Sequence, residues 1–313
     1  MDKPLPLYRC EDVRALEARA MEHDGIDAYA LMSRAAAAAF ARMKLDWPMA
    51  RRLCVVCGRG NNGGDGFVLA RLSRMAGLQV TVVVGEAGEP NADPARRAFA
   101  HWRETGGEEV LFAPGDPLPE ADVIVDALFG IGLSRLPEGV GRALIEAITA
   151  AGRPVLAIDV PSGLDADSGS ATEVAVKATR TVSFIAHKRG LFTGHGRAIA
   201  GPVELATLDV PATTRNSLAP AAWLVTATQL GRWLQRRPRD AHKGDNGRVL
   251  AIGGDYGYGG AIRLCAESAL RCGAGLVSVA TRDSHVQPLL AARPEAMPHV
   301  VDDAAGLRQL AQR

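Results

Sequence analysis

The sequence lacks any strong charge bias and any long apolar run. Its 313 residues carry 36 Lys and Arg against 35 Asp and Glu, so the electrostatic signature of a nucleic-acid-binding protein is missing. No segment approaches the roughly 18 apolar residues that a membrane helix requires. The charged, proline-broken start of the chain is also unlike a signal peptide. We therefore expect no nucleic acid and no membrane as partner, and a cytoplasmic location.

Cysteine is scarce too, and its five residues show no spacing typical of a disulfide framework. Cys54 and Cys57 match the C-x-x-C spacing, but residues three apart in a strand point to opposite faces and cannot easily share a metal ion. Cys265 and Cys272 fall on a predicted helix, where we expect them to pack on one face. The 47% of hydrophobic residues is instead typical of a globular protein with a sizeable core.

One segment is unusually rich in glycine. Residues 58–66 read Gly-Arg-Gly-Asn-Asn-Gly-Gly-Asp-Gly and lie between an apolar run ending at Cys57 and a helical pattern beginning at Phe67. A strand, a glycine-rich turn and a helix present free backbone N–H groups to an anionic ligand, and glycine lets the backbone approach it and adopt positive φ. The segment matches neither the Rossmann fingerprint nor the Walker A loop. The alternative is a tight turn whose polar residues cap the helix.

Apolar strands and helical segments alternate from Leu53 to Leu208. This order predicts a mostly parallel sheet covered by helices on both faces, which is a Rossmann-like, doubly wound α/β fold. Three of the strands end in polar, glycine-bearing loops, at residues 61–65, 126–136 and 159–162. Ligands bind beyond the carboxyl ends of the strands in such sheets. We therefore expect the three loops to converge on one pocket for a nucleotide or dinucleotide.

The chain changes character after residue 215. Residues 216–240 carry prolines and a basic patch, which predicts a linker with a short helix and a solvated charged face. Residues 241–313 repeat the order strand, glycine loop, helix, strand, but are too few for a doubly wound sheet of ordinary size. We therefore predict a first domain at residues 1–215, a linker at 216–240, and an incomplete second α/β unit at 241–313.

Three motifs of the first domain together resemble the NAD(P)HX epimerase family. They are the glycine-rich loop at residues 60–66, the run 122–135, and residues 157–165, which read Ala-Ile-Asp-Val-Pro-Ser-Gly-Leu-Asp. Residues 242–281 resemble the opening of the ADP-dependent NAD(P)HX dehydratases, whose domain is ribokinase-like. The resemblance implies that the chain interconverts the R and S epimers of hydrated NADH and NADPH. Dehydration of the S form, with ADP or ATP, is expected only of a longer chain.

The resemblance also implies roles for individual residues. Asp159 is expected to contact the hydrate and to transfer the proton. A potassium ion is expected between Asn62, Asp126 and Ser162, whose oxygen donors suit a hard alkali cation. Arg59 departs from the family, in which proline is usual. The residues implied in substrate binding are Asn61, Asn62, Gly63, Gly64, Asp65, Gly130, Ile131, Gly132, Leu133, Ser134, Arg135, Leu136, Asp159 and Ala261.

Two other functions remain open at this point. A non-catalytic module would bind a nucleotide or a protein partner in the same pocket, although it has no need for convergent oxygen donors. A nucleotide-dependent kinase of the ribokinase type is suggested only by residues 241–313. The basic run at residues 187–189 could reach phosphates, but we favour a surface or structural role. No side chain that reads the ribose 2′ position can be identified, and we expect a homo-oligomer with the N-terminal helices as its surface.

Overall fold

The computed structural model describes residues 4–132, 137–171, 173–234 and 236–312. The chain divides into two units, Met1–Leu230 and Gly231–Arg313. The helices are α1 Cys10–Glu22, α2 Ala28–Asp46, α3 Asn61–Met75, α4 Asp93–Glu104, α5 Gly139–Ala150, α6 Gly196–Ile199, α7 Ala212–Arg215, α8 Ala227–Trp233, α9 Gly259–Arg271, α10 Val286–Ala292 and α11 Ala304–Ala311. The strands are β1 Leu5–Tyr8, β2 Arg52–Cys57, β3 Gln79–Val84, β4 Glu109–Leu111, β5 Val123–Ala127, β6 Val155–Ile158, β7 Arg180–Phe184, β8 His187–Lys188, β9 Val203–Ala206, β10 Ala222–Leu224, β11 Arg248–Ile252, β12 Leu276–Thr281 and β13 Met297–Val300.

The main sheet of the first unit has seven strands in the order β4-β3-β2-β5-β6-β7-β9, and all its neighbours are parallel. Val55 of β2 pairs with Val82 of β3 on one side and with Val125 of β5 on the other. The order of the strands therefore reverses between β2 and β5, which makes a topological switch point. This architecture confirms the predicted α/β fold.

Separate apolar clusters cover the two faces of this sheet. Alternate residues of β2 point to opposite sides, so Val55 and Cys57 pack in one cluster with Trp102 of α4, beside residues of α2 and α3. Cys54 packs on the other face with Leu144 of α5. The expectation that Cys54 and Cys57 point apart is therefore confirmed.

The first unit contains a second, small sheet that was not predicted from the sequence. Its order is β10-β1-β8, and Leu7 of β1 pairs with Ala222 in the antiparallel sense and with His187 in the parallel sense. The segment predicted as a linker from residue 216 therefore contributes a strand to the first unit, which extends to Leu230. A strand of three residues close to Pro220 is too short to show a period of two, so no sequence pattern predicts it.

In the second unit, β11, β12 and β13 form a parallel sheet on which α9 packs Ile262 and Ala266. The predicted order of strand, glycine loop, helix and strand is confirmed. Cys265 and Cys272 are both exposed, so the expectation that they pack was wrong: the buried stripe of α9 passes through Ile262 and Ala266 instead. In the described part of the chain, no helix combines the length and apolar character needed to cross a membrane.

Candidate active site

The glycine-rich turn joins β2 to α3, and its backbone packs closely against other backbone segments. The helix begins at Asn61 with Gly60 as its N-cap, so its first N–H groups have no acceptor within the helix. A Cβ on Gly58 would lie 1.9 Å from the carbonyl oxygen of Leu128, and one on Gly63 would lie 1.8 Å from that of Gly58. None of the glycines of this turn, all of them described, has a positive φ, so that expectation was wrong. The glycines serve close approach within the protein.

A cavity of about 880 Å³ opens beyond the carboxyl ends of β2, β5 and β6. It lies at the switch point, where open α/β sheets bind their ligands, and its volume is typical of a ligand site. The three polar loops converge on it, as their positions after the strands predicted. The predicted site residues that line it are Asn61, Asn62, Asp65, Gly130, Ile131, Gly132 and Asp159.

Other predicted site residues lie elsewhere. Gly63 and Gly64 are buried within the first turns of α3. Ala261 is exposed near the start of α9, in the second unit. The segment Leu133, Ser134, Arg135 and Leu136 lies outside the described residues.

Asp126 and Ser162 form a buried hydrogen-bonded pair close to the cavity. Asp126 Oδ1 accepts from Ser162 Oγ at 2.6 Å, and Oδ2 accepts from the Ser162 N–H at 2.8 Å. The N–H of Phe129 donates to Ser162 Oγ at 2.9 Å, which ties the loop after β5 to the pair. Burial raises the pKa of Asp126 to about 6, although its hydrogen bonds from Ser162 and Leu128 act in the opposite direction. These donors are all neutral, so they do not compensate the charge of the ionised carboxylate.

Asn62 packs against the loop after β5 and has an unsatisfied polar atom. A Cβ on Gly130 would lie 3.3 Å from Asn62 Oδ1, so the amide packs against the loop that Phe129 ties to Ser162. Asn62 Nδ2 is buried without a hydrogen-bond partner, and exchanging the amide N and O would present an oxygen there. A buried carboxylate with neutral donors and an unsatisfied amide fit a hard monovalent cation. No three His, Cys, Asp or Glu side chains among the described residues cluster as another kind of metal site.

Asp159 follows β6 and is held by a buried ion pair. Its φ of 66° is a left-handed value that is uncommon for a residue with a Cβ. Its Oδ1 accepts from Lys188 Nζ and, at 3.3 Å, from the Phe184 N–H. Lys188 is only 1% exposed and also donates to Ser183 Oγ at 3.2 Å and to the Phe184 carbonyl at 2.8 Å. Both bonds to Asp159 use Oδ1, which leaves Oδ2 available to a ligand.

Two further carboxyl groups share this charged region. Burial raises the pKa of Asp65 well above its ordinary value; the charges of Asp159 and Glu17 act in the same direction, and that of Lys188 opposes them. Burial also raises the pKa of Glu17, and the charge of Asp159 adds to this. Neighbouring carboxyl groups in unlike environments are typical of a proton donor and a proton acceptor. Asp65 and the ion-paired Asp159 offer such a pair at one cavity.

Some cavity residues were missed or misjudged from the sequence. Arg14 and Glu17 of α1 line the cavity, and Arg14 Nη2 donates to the Ile131 carbonyl at 2.7 Å. The helical period predicted α1 but not which of its faces meets a ligand. Lys188 was not given a role in the site, because the local sequence does not distinguish it from its neighbours in the run His187–Arg189. Its burial follows from tertiary structure alone.

Two relatives with similar sequences are longer than this chain. The bifunctional NAD(P)H-hydrate repair enzyme Nnr of Coxiella burnetii is 46% identical over 311 residues, which are 97% of this chain and 62% of that protein. The protein of the same name from Escherichia coli is 40% identical over 306 residues, covering 95% of this chain and 57% of that protein. The chain therefore spans less than two thirds of the length of these relatives.

A likeness of fold and two family matches complete the comparison. The crystal structure of yeast ynu0 (YNL200c) covers 71% of this chain and 98% of its own, with a TM-score of 0.60 at 20% identity, which shows a shared fold. Residues 249–313 match the NAD(P)H-hydrate dehydratase family. Residues 28–190, more than half of the chain, match the YjeF-related protein N-terminus family, and they include Asn62, Asp126, Asp159 and Lys188. The chain therefore belongs to the YjeF-related protein N-terminus family.

Proposed function

We propose that the first unit is an NAD(P)H-hydrate epimerase, which interconverts the R and S forms of hydrated NADH and NADPH. The observation that carries this proposal is the ion pair of Asp159 with buried Lys188 at a cavity that Asp65 also lines. The names of the relatives, bifunctional NAD(P)H-hydrate repair enzymes, support the choice of substrate.

In the mechanism we propose, the hydroxyl group leaves its ring carbon and a water adds back on the opposite face; opening and closing of the ring is the alternative route to the same epimers. When the electron pair of the ring nitrogen expels the hydroxyl, its oxygen must receive a proton so that water leaves. Asp65, whose raised pKa keeps a proton available, supplies it. Water then adds to the opposite face of the iminium carbon and gives a proton to Asp159 Oδ2, while Lys188 holds Oδ1 in place. The proton returns to Asp65 through water in the cavity, which restores both groups.

The decisive variant is Asp159→Asn. Asparagine tolerates a left-handed backbone, so the change removes the proton acceptor without adding backbone strain; because Lys188 loses its anionic partner, activity is compared under conditions where the variant is folded. We expect interconversion of the two hydrate epimers, followed by chromatography, to slow by about 10²–10⁴-fold, while binding of the hydrates is retained. An Asp159→Asn chain as active as the wild type would contradict the mechanism. A wild-type chain that binds both hydrates without interconverting them would instead support the alternative, a non-catalytic binding module.

A potassium ion is part of the proposal, held by Asn62, Asp126 and Ser162. It would neutralise the buried carboxylate and link the first turn of α3 to the loop after β5. We expect potassium chloride to raise the melting temperature of the protein above that in choline chloride at equal ionic strength. Asn62→Ala should lose most of this difference, and Asp126→Asn should lose it entirely. If both variants respond to potassium as the wild type does, the ion does not bind there.

A second activity is favoured by the match of residues 249–313 to the NAD(P)H-hydrate dehydratases. We propose that this region belongs to a domain that removes water from the S hydrate with ADP or ATP, the nucleotide cofactor of that half. Return of the absorbance of reduced nicotinamide after addition of ADP tests whether this chain does so alone. Self-association through the N-terminal helices and a cytoplasmic location are proposed from the sequence; light scattering tests the first, and cell fractionation the second.

A further inference from the structure

A second cavity, of about 510 Å³, adjoins the first and has no role in the chemistry described above. The two cavities share Arg59, Asn91, Leu128 and Phe129 as walls. The second lies beyond the carboxyl end of β3 and beside the start of α5. A ligand too long for the first cavity can therefore continue into the second.

The polar lining of the second cavity comprises Asn91, Glu138 and an ion pair, Arg59 with Glu86, that bridges two chain segments. Arg59 Nη1 donates to Glu86 Oε2 at 3.0 Å, and Nη2 donates to the Glu89 carbonyl at 2.9 Å. The Asn91 N–H donates to the Arg59 carbonyl at 2.8 Å, so the backbone of the arginine is fixed as well. The Arg59 side chain is 40% exposed and that of Glu86 is 66% exposed, so both groups can reach a ligand.

The remaining walls are largely apolar. They include Val84 at the end of β3, Leu128, and Val140 and Leu144 of α5. Apolar walls with a few polar groups at one side are typical of a site that binds a flat heterocycle and fixes its orientation. A purine base with its ribose fits this pattern.

The ion pair lies where α/β sheets that bind dinucleotides place the groups that contact the ribose. Glu86 follows β3, the second strand of the β2-α3-β3 unit, by two residues. In dinucleotide-binding units of this topology, an acidic side chain there accepts from the ribose 2′-hydroxyl, and a nearby arginine accommodates a 2′-phosphate. The sequence did not reveal these groups, because Arg59 lies inside the glycine-rich turn and Glu86 has no distinguishing neighbours.

We propose that the second cavity binds the adenosine half of the dinucleotide, and that Arg59 and Glu86 read its ribose 2′ position. Glu86 accepts from the 2′-hydroxyl of the NADH-derived hydrate, and Arg59 pairs with the 2′-phosphate of the NADPH-derived hydrate. Each form thus uses one member of the pair, so the wild type accepts both. The identity of the ligand rests on the proposed function, but the reading of the 2′ position can be measured without it.

The test compares two probes in calorimetric titrations of the full chain: adenosine 2′,5′-bisphosphate and adenosine 5′-monophosphate. We expect Arg59→Ala to weaken binding of the bisphosphate, relative to the monophosphate, about fivefold or more, because a charge-assisted contact is lost at a partly exposed site. Glu86→Gln should strengthen binding of the bisphosphate, relative to the monophosphate, about threefold, because a carboxylate no longer faces the 2′-phosphate. The two variants must therefore shift the ratio in opposite directions.

Arg103→Ala is the matched control. Arg103 pairs with Glu109 at the amino end of β4, on the edge of the sheet away from both cavities, so it should leave the ratio unchanged. The inference is overturned if neither probe binds, if Arg59→Ala leaves the ratio unchanged, or if Arg103→Ala shifts it equally.

Activity separates this inference from the proposed function. If the chain epimerises both hydrates but Arg59→Ala leaves their relative kcat/KM unchanged, the function stands and the adenosine site is overturned. If the chain has no epimerase activity but the ratio for the two probes shifts as expected, the adenosine site is supported and the epimerase proposal fails.

Discussion

Replacing Lys188 by methionine should strongly destabilise the first unit. The variant leaves the carboxylate of Asp159 buried without its cation, and it removes the donor to Ser183 Oγ and to the Phe184 carbonyl. Removing one partner of a buried ion pair costs about 3–5 kcal/mol, and methionine retains most of the packing of the lysine stem. We therefore expect the free energy of unfolding to fall by about 3–5 kcal/mol.

Urea denaturation followed by tryptophan fluorescence measures this loss, because three of the four tryptophans, Trp47, Trp102 and Trp223, lie in the first unit. The double variant Lys188→Met/Asp159→Asn should recover at least about 2 kcal/mol, since the uncompensated charge is gone. Lys177→Met, at an exposed position, is the matched control and should change stability by less than about 0.5 kcal/mol. A loss below about 1 kcal/mol for Lys188→Met would refute the reasoning, since a buried pair cannot be broken at so small a cost.

Two further predictions concern packing and pH. Gly58→Ala and Gly63→Ala should each destabilise the first unit by roughly 2–4 kcal/mol in the same assay, because their Cβ atoms would overlap backbone oxygens, whereas Gly60→Ala meets nothing within 4 Å and should be close to neutral. Equal effects at all three positions would contradict this account. Burial lowers the pKa of His187 from 6.5 to about 4, and the charge of Lys188 adds a smaller effect in the same direction. The folded state therefore binds fewer protons than the unfolded state between these two values. Stability should fall as the pH drops from 6.5 towards 4. Between neutral pH and pH 5 the wild type should lose roughly 2 kcal/mol more than His187→Gln, measured by urea denaturation at each pH; parallel pH profiles would show that His187 is not buried in its neutral form.

The elements that could be predicted well are those whose own residues show a clear hydrophobic pattern. The strand before the glycine-rich turn ends at Cys57, as its apolar run predicted, because a run of apolar residues buried on both faces can be recognised without knowing its neighbours. The convergence of the loops that hold Asn62, Asp126 and Asp159 also followed from local order, since parallel strands bring their carboxyl ends to one edge.

The features that could not be predicted from the sequence depend on contacts between distant segments of the chain. In the sequence, Lys188 is one of the three polar residues His187–Arg189, and nothing local sets it apart. Only the fold brings it to Asp159 as a buried ion-pair partner. The strand at Ala222–Leu224 is too short for any period and is defined by the strand it pairs with. Gly58 and Gly63 were expected to leave space for a ligand, whereas the carbonyl groups of Leu128 and Gly58 fill that space.

The pairing of β1 with β10 has a consequence for how the protein is made. Leu7 leaves the ribosome long before Ala222, its partner in the small sheet. At about 5–20 residues per second, roughly 10–40 s of synthesis separate the two strands. Until then the side of β1 that faces β10 is an unpaired edge, and the small sheet that contains Lys188 of β8 is incomplete. The charged centre of the cavity should therefore be among the last parts of the first unit to become native, and the nascent chain is most exposed to mispairing during that interval.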